Sequence, residues 1–477
     1  MSDDRADSCE PRRELLAATI FLGLMLLICW ARLPWSEGLW LDETLSAWTV
    51  SGGLLETWER SIHFQTQSPL FYLMEWGFVR LFGASEVSLR AISILAALGS
   101  LWVVAILGKR LSGRYAVGLY ASGFLLGCDV FQVGSITARP YSLATLCALI
   151  SILAAYSLRE RYSCGRALMW SAATVLTWYA HYLFIVVALG NLMLWACERG
   201  MLRKMLPWMV MTALVCIPGG IHFLQLRERS AGLFFTGLPS VRDMIGDIVP
   251  VPLLVAATLG SLIAYIWDAR VRFDVRSRES LLSSLPYIAL PLLCFGTLAI
   301  IAGGAVWLPR YWEWQVGMFA VALAVALGRI DGARYRYLAL MATASFVVGR
   351  VGLQVWHSEG WDRVGRVARE YPGSVVMFSG LIEAETMVSK GKPGFEDYLR
   401  SPLSAYGRSR DVEIARLSAT DDGLRALFVK PVLLVAARKR VGEHRSPERF
   451  LDIATSMGRH VAPILEDSSI ITAYEIK

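Results

Sequence analysis

Two adjacent carboxylates, Asp42 and Glu43, sit in the stretch Trp40-Leu41-Asp42-Glu43-Thr44-Leu45-Ser46-Ala47-Trp48, shortly after the first long apolar segment. Tryptophan favours the membrane–water interface, so the bracketing indoles mark a depth. An ionised carboxylate at that depth is costly unless it meets a polar cavity, a cation or a cationic ligand. The plainer alternative is a solvated helix start with Asp42 as its N-cap. The other polar residues of interest recur at corresponding places along the chain: His63, Gln65, Gln67 and Ser68, then Arg139 and Tyr141, then His181 and Tyr182, then Arg310 and Tyr311. Arginine is always charged and forked, which suits a phosphate. A carboxylate can serve as general base or hold a divalent cation. The combination therefore suits a ligand that carries a phosphate and a nucleophile to be deprotonated, with no cofactor fixed by the residues. Each residue also has a plainer reading. Arg139 could anchor a helix end at headgroups, His63 could be a loop or interface histidine, and His181 a hydrogen-bonded helix-end residue. Trp307, Trp312 and Trp314 read most simply as interfacial belt residues.

The elements that must position these residues are membrane helices. The chain has 477 residues, 55% hydrophobic and 18% charged, with mean hydropathy +0.46. A soluble domain is about a quarter charged, so this is a membrane composition. The net charge of +7 gathers in short loops between apolar segments, where it orients a membrane protein and does not indicate nucleic acid. The eight cysteines form neither a CxxC motif nor a Cys/His cluster, so neither a zinc site nor a disulfide framework is expected. Leu15 to Leu33 is too long for a signal-peptide core and reads as a retained transmembrane helix.

Arg5, Arg12 and Arg13 place the N-terminus in the cytoplasm and Asp42-Glu43 outside. Pro34 to Arg90 carries seven acidic residues and three Arg, an outside-type balance. Pro69 to Gly83 is too short and too charged to span and reads as an amphipathic helix in the outer interface. Ala91 to Leu107 returns to Lys109-Arg110 and Arg114, and Tyr115 to Leu126 goes out as a short helix. Asp129 to Arg139 is expected as a second outer loop, and Pro140 to Leu158 returns to Arg159 and Arg161. Crossings follow at Leu168 to His181, Leu183 to Ala196, Leu206 to Phe223, Ile248 to Ile266, Leu285 to Val306, Val316 to Leu327 and Leu338 to Val355. The expectation is a mainly α polytopic bundle of about eleven transmembrane helices with interfacial helices in the first outer loop. The basic loops obey the positive-inside rule, with the Arg227–Arg242 loop as the exception. Residues 1–357 form this membrane domain. Residues 358–477 carry charge throughout with short β-like runs, such as Ser374–Phe378 and Val432–Val435, and read as a small extracytoplasmic α/β domain.

The segments LWLDETLSAW, SPLFYLMEW, LFGASEVSLRAISIL, ITARPYSLATL, WYAHYLF and LPRYW resemble the lipid-linked-sugar glycosyltransferases of the GT-C superfamily. That group includes protein O-mannosyltransferases and the bacterial enzymes that transfer aminoarabinose or galacturonic acid to lipopolysaccharide. The resemblance runs from about Leu15 to Leu327. It implies a multi-pass protein of the plasma (inner) membrane that moves one sugar from a polyprenyl-phosphate donor to a lipid, glycan or protein acceptor on the outer face, by inverting displacement. The family's catalytic acid carries over to Asp42, with Glu43 beside it. Arg139 and Arg310 would clamp the phosphate. The family's second outer loop usually reads Glu-Ala-Arg-x-Tyr. Here it reads Thr137-Ala138-Arg139-Pro140-Tyr141, so the usual acid is absent, and the nearest carboxylate before it is Asp129. Two other classes share parts of the pattern. A transporter or flippase of lipid-linked sugar would show two similar halves and polar residues at mid-membrane. A non-catalytic polyprenyl-lipid-binding relative fits the substitution at Thr137.

Overall fold

The computed structural model describes residues 4–65, 67–229, 240, 254–255, 257–259, 261–262, 275–302, 308–330, 333–353, 359–378, 394–408, 411–415, 420–437, 448–464 and 471–477. In chain order the helices are α1 (Asp4–Arg32), α2 (Leu41–Val50), α3 (Leu54–His63), α4 (Leu70–Phe82), α5 (Glu86–Ser112), α6 (Tyr115–Leu126), α7 (Asp129–Ile136), α8 (Tyr141–Glu160), α9 (Cys164–Ala180), α10 (Val186–Ala196) and α11 (Met201–Arg229). They continue with α12 (Val275–Ala302), α13 (Glu313–Leu327), α14 (Ala333–Leu353), α15 (Trp361–Glu370), α16 (Phe395–Ser404), α17 (Asp421–Leu427) and α18 (Glu448–Ser456). Short 3-10 turns cover Tyr182–Ile185 and Pro309–Trp312. The strands are β1 (Ser374–Phe378), β2 (Val412–Ala415), β3 (Val432–Ala437), β4 (Val461–Pro463) and β5 (Ile471–Ile476). The described residues fall into two compact units, one drawn from 1–33, 92–223 and 236–355, the other from 34–91, 224–235 and 356–477. The second unit thus joins residues 34–91 to the C-terminal region.

The first unit is a helical bundle. Among the described residues, five helices are long and apolar enough to cross a membrane, six if α6 and α7, bent by 75°, count as one broken span. Helices stand at the other expected crossings too, but α9, α10 and α13 are shorter, and α14 carries Arg334, Arg336 and Arg350. Most of the crossing expected at Ile248 to Ile266, most of the Arg227–Arg242 loop and Trp307 lie outside the described residues. α8 is the central helix, with 83% of its span buried, whereas α11 is only 17% buried. Leu206, Val210, Leu214, Ile217 and Ile221 make the exposed face of α11 apolar, as a helix solvated by lipid requires.

Ion pairs tie together the helix ends that the basic clusters assign to one side. Glu14 on α1 is buried and lies 3.3 Å from Arg336 on α14 and 3.7 Å from Arg114 in the turn before α6. Arg110 pairs with Glu160 at 3.0 Å and Arg159 with Glu198 at 2.6 Å. The alternation of helices read from the charges therefore agrees with the packing. Two expectations are corrected. The second outer loop is mostly helix, because Asp129 to Ile136 carries enough apolar residues to bury one side as α7. Trp312 and Trp314 are buried, not belt residues; Trp312 stacks near Phe295 at 5.1 Å.

The second unit holds a five-stranded sheet in the order β2-β1-β3-β5-β4. β1 pairs in parallel with β2 and β3, while β5 is antiparallel to β3 and β4. β1 coincides with the expected run. One face of the sheet packs on α15 and α16, and the same core takes in Leu45 and Trp48 of α2 and Phe64 after α3. Trp48, Phe64 and Tyr398 have ring centroids 5.2 Å apart pairwise, so Trp48 is a packing residue and marks no depth. The amphipathic helix expected at Pro69 to Gly83 is α4, which buries Phe71, Tyr72 and Glu75.

Glycine permits the closest helix approach. A Cβ at Gly118 on α6 would stand 2.2 Å from the Ala105 carbonyl oxygen of α5, a backbone atom that cannot yield. At Gly23 on α1 nothing lies within 4 Å. Gly118→Ala is expected to destabilise the bundle by about 1–3 kcal/mol through overpacking, and Gly23→Ala to be neutral or stabilising by up to about 1 kcal/mol. Thermal unfolding of the two variants in detergent checks the pair; equal Tm values would contradict the packing described.

Candidate active site

Within the second unit, α2 carries Asp42 and Glu43 in its first turn. The helix begins at Leu41, so Asp42 is not its N-cap; that position belongs to Trp40. Glu43 reaches back instead, its Oε2 accepting from the Trp40 amide at 2.9 Å. A carboxylate here satisfies an orphan donor and favours the positive end of the helix. Asp42 remains partly exposed, whereas Glu43 is fully buried. His63 ends α3 in the same unit and is half-buried.

Glu43 is held by Arg90, which the sequence marks as the end of an acidic segment and not as a partner. Arg90 is 1% exposed. Its Nε donates to Glu43 Oε1 at 2.8 Å and its Nη2 to Oε2 at 2.6 Å. Its Nη1 donates to the carbonyls of Pro34 (2.7 Å), Trp35 (3.0 Å) and Glu37 (3.0 Å), and Nη2 also reaches that of Gly38 at 3.3 Å. One planar donor fork thus gathers the whole entry to α2. A guanidinium can do this and an ammonium cannot, because five donors in fixed directions are needed at once.

The first unit gathers the cationic candidates. Thr137 ends α7, its hydroxyl donating to the Val133 carbonyl at 2.6 Å, so this side chain is turned back onto its own helix. Arg139 follows and is 6% exposed; its amide donates to the Thr137 carbonyl, and its carbonyl accepts from Ser93 Oγ at 3.1 Å. Tyr141 opens the buried helix α8. His181 closes α9, with ring centroids 5.5 Å from Tyr141, 5.4 Å from Tyr311 and 5.1 Å from Phe184. The Arg310 guanidinium stands 5.5 Å from the Tyr141 ring and 5.8 Å from that of Tyr311, within cation–π range. Arg139 and Arg310 both act electrostatically on His181. Neither ring nitrogen of His181 forms a hydrogen bond among the described residues. This is not the hydrogen-bonded helix-end histidine of the plainer reading. Arg139, Tyr141, His181, Arg310 and Tyr311 thus lie near one another: the Arg310 guanidinium stands over aromatic rings, and the Arg139 charge reaches His181, an arrangement suited to an anion with an apolar attachment.

Two features escaped the sequence. Glu313, one turn after Arg310, is fully buried at the start of α13 against Gly134 of α7, with Thr145 and Ser142 as neighbouring hydroxyls. Asp129 pairs with Arg350 on α14, which leaves it a structural role. No group of three or more His, Cys, Asp or Glu among the described residues could hold a metal ion.

Residues 66–222 match the family model described as dolichyl-phosphate-mannose-protein mannosyltransferase. No curated protein matches by sequence. The fold is similar to that of ArnT from Cupriavidus metallidurans in the apo state, with a TM-score of 0.58 and 12% identity over 95% of this chain and 97% of that one. The same protein bound to undecaprenyl phosphate gives a TM-score of 0.55 at 12% identity over the same shares. Arabinofuranosyltransferase AftD from Mycobacteria matches with a TM-score of 0.52 and 13% identity over 97% of this chain and 41% of that one. The GT-C resemblance carried by the motifs is thereby met in a family model and in a shared multi-pass fold.

The Arg90 fork generates a stability prediction. Arg90→Lys keeps the charge but loses the fork, and is expected to destabilise the protein by roughly 1–3 kcal/mol. Arg90→Met strands the buried Glu43 carboxylate and is expected to cost about 3–5 kcal/mol. Tm measurements that rank Met as no worse than Lys would contradict this arrangement.

Proposed function

From the premise that the chain shares the GT-C fold, we propose that it is a membrane glycosyltransferase that takes a sugar from a polyprenyl-phosphate donor and places it on an envelope acceptor at the outer face. The observation that carries the reading is the convergence of Arg139 and Arg310 with His181, Tyr141 and Tyr311 at the end of the bundle opposite Glu160. A phosphate monoester of a long prenol is an anion with an apolar tail. Guanidiniums hold its charge, and aromatic rings exclude water from the contact.

In the proposed reaction the acceptor oxygen attacks the anomeric carbon as the carbon–phosphate-oxygen bond breaks. The bonding pair leaves with the polyprenyl phosphate, which needs no general acid. The acceptor proton goes to Asp42. Arg139 and Arg310 stabilise the departing charge, and a carboxylate near the ring supports oxocarbenium character at the anomeric centre. Direct displacement inverts that centre. Glu43 keeps the place beside Asp42 but as its anchor, since both of its oxygens are engaged by Arg90. In this reading the N-terminus is cytoplasmic and the second unit lies outside.

The alternative of a non-catalytic lipid-binding relative draws on Thr137, whose hydroxyl is turned onto its own helix. One set of variants separates the two. Deleting the gene and comparing envelope glycolipids by mass spectrometry identifies the transferred mass, and variants are then returned. Asp42→Asn is expected to lower transfer at least about 100-fold while binding of undecaprenyl phosphate to the purified protein is unchanged. Arg310→Ala is expected to weaken that binding. Wild-type transfer by Asp42→Asn, or no glycolipid difference on deletion, would contradict the proposal.

A further inference from the structure

The backbone amides that lead into α2 are satisfied from far away in the chain. Leu39, Trp40 and Leu41 donate in succession to Tyr406 Oη (2.5 Å), Glu43 Oε2 (2.9 Å) and Glu359 Oε2 (2.7 Å). Only the middle acceptor belongs to α2. The outer two come from the C-terminal part of the same unit.

Both distant acceptors are themselves fixed. Glu359 Oε2 also accepts from Trp361 Nε1 at 3.0 Å, and the Glu359 carbonyl accepts from the Ile471 amide of β5 at 3.1 Å. Trp361 is buried in the core that covers the sheet. Tyr406 lies against α15, where a Cβ at Gly365 would meet Tyr406 Cβ at 2.4 Å. A third link sits one residue before Leu39: a Cβ at Gly38 would meet Asp362 Cβ at 2.5 Å. Both close approaches fall at glycine.

We propose that Glu359 and Tyr406 are positioning residues for Asp42, so that the C-terminal domain completes the catalytic loop. The inference rests on the reading of Asp42 as the base. The first amides of a helix have no intrahelical acceptor, and whatever accepts from them fixes the direction and rotation of the first turn. Asp42 stands in that turn, directly after the amide that Glu359 holds. Misplacing a reacting group by about 1 Å can cost 100-fold in rate. Burial raises the Glu359 carboxyl above the usual carboxylate range, and the negative charges of Asp42 and Glu43 push the same way against the Leu41 and Trp361 hydrogen bonds.

The test uses the full chain, with Glu359→Ala, Glu359→Gln, Tyr406→Phe and Asp42→Asn returned to the deletion strain at matched membrane levels. Glu359→Ala is expected to lower glycolipid modification at least about ten-fold. Glu359→Gln keeps an acceptor oxygen and is expected to restore most of the transfer. Purified Glu359→Ala is expected to bind undecaprenyl phosphate as the wild type does, while hydrogen exchange quickens at Leu39 to Leu41 and the sheet stays protected. Wild-type transfer by Glu359→Ala beside an inactive Asp42→Asn would overturn the inference, as would unchanged exchange at those amides or loss of lipid binding in step with transfer. An active Asp42→Asn would instead overturn the reading of the base on which the inference stands.

Discussion

A buried guanidinium organises the acidic loop. Arg90 and Glu43 are both out of water, and each would be costly there alone. Their two parallel hydrogen bonds offset part of that cost, and the four carbonyls that Arg90 also collects turn an irregular segment, residues 34–38, into a fixed approach to α2. Of the two acidic residues at this place, Glu43 is buried against Arg90 and Asp42 is partly exposed.

The cationic cluster obeys the same logic with the signs reversed. Arg139 is fixed through its backbone, by the turn after α7 and by Ser93, and Arg310 by the short turn that begins at Pro309. Tyr141, His181 and Tyr311 supply flat walls and no negative charge. The position of the cluster at the ends of α8 and α9, and not in their middles, favours a headgroup-level ligand over a translocated one. That distribution weakens the transporter alternative, which would place its polar residues at mid-membrane.

The sequence made some of this legible and not the rest. Helix order followed from basic clusters, and the pairs Arg110–Glu160 and Arg159–Glu198 join the ends those clusters assigned to one side. β1 was visible because Ser-Val-Val-Met-Phe is a short β-branched run with no competing helical period. Trp48, Trp312 and Trp314 are buried in packed cores, not interfacial as their positions in the sequence imply, because an indole suits a core as well as a headgroup layer. Arg90 was overlooked since nothing local marks an arginine that binds carbonyls more than fifty residues earlier. Glu359 and Tyr406 were invisible for the same reason on a larger scale: their partners lie at the other end of the chain. The family's acid at the second loop is replaced by Thr137, and the structure gives that hydroxyl an intrahelical bond.

The central claim is that the cluster of Arg139 and Arg310 is a site for the phosphate of a polyprenyl lipid. A cryo-electron microscopy map of the full chain in nanodiscs with undecaprenyl phosphate bound tests it most directly. The account predicts phosphate density touching the guanidiniums of Arg139 and Arg310. Phosphate density away from both arginines would contradict it.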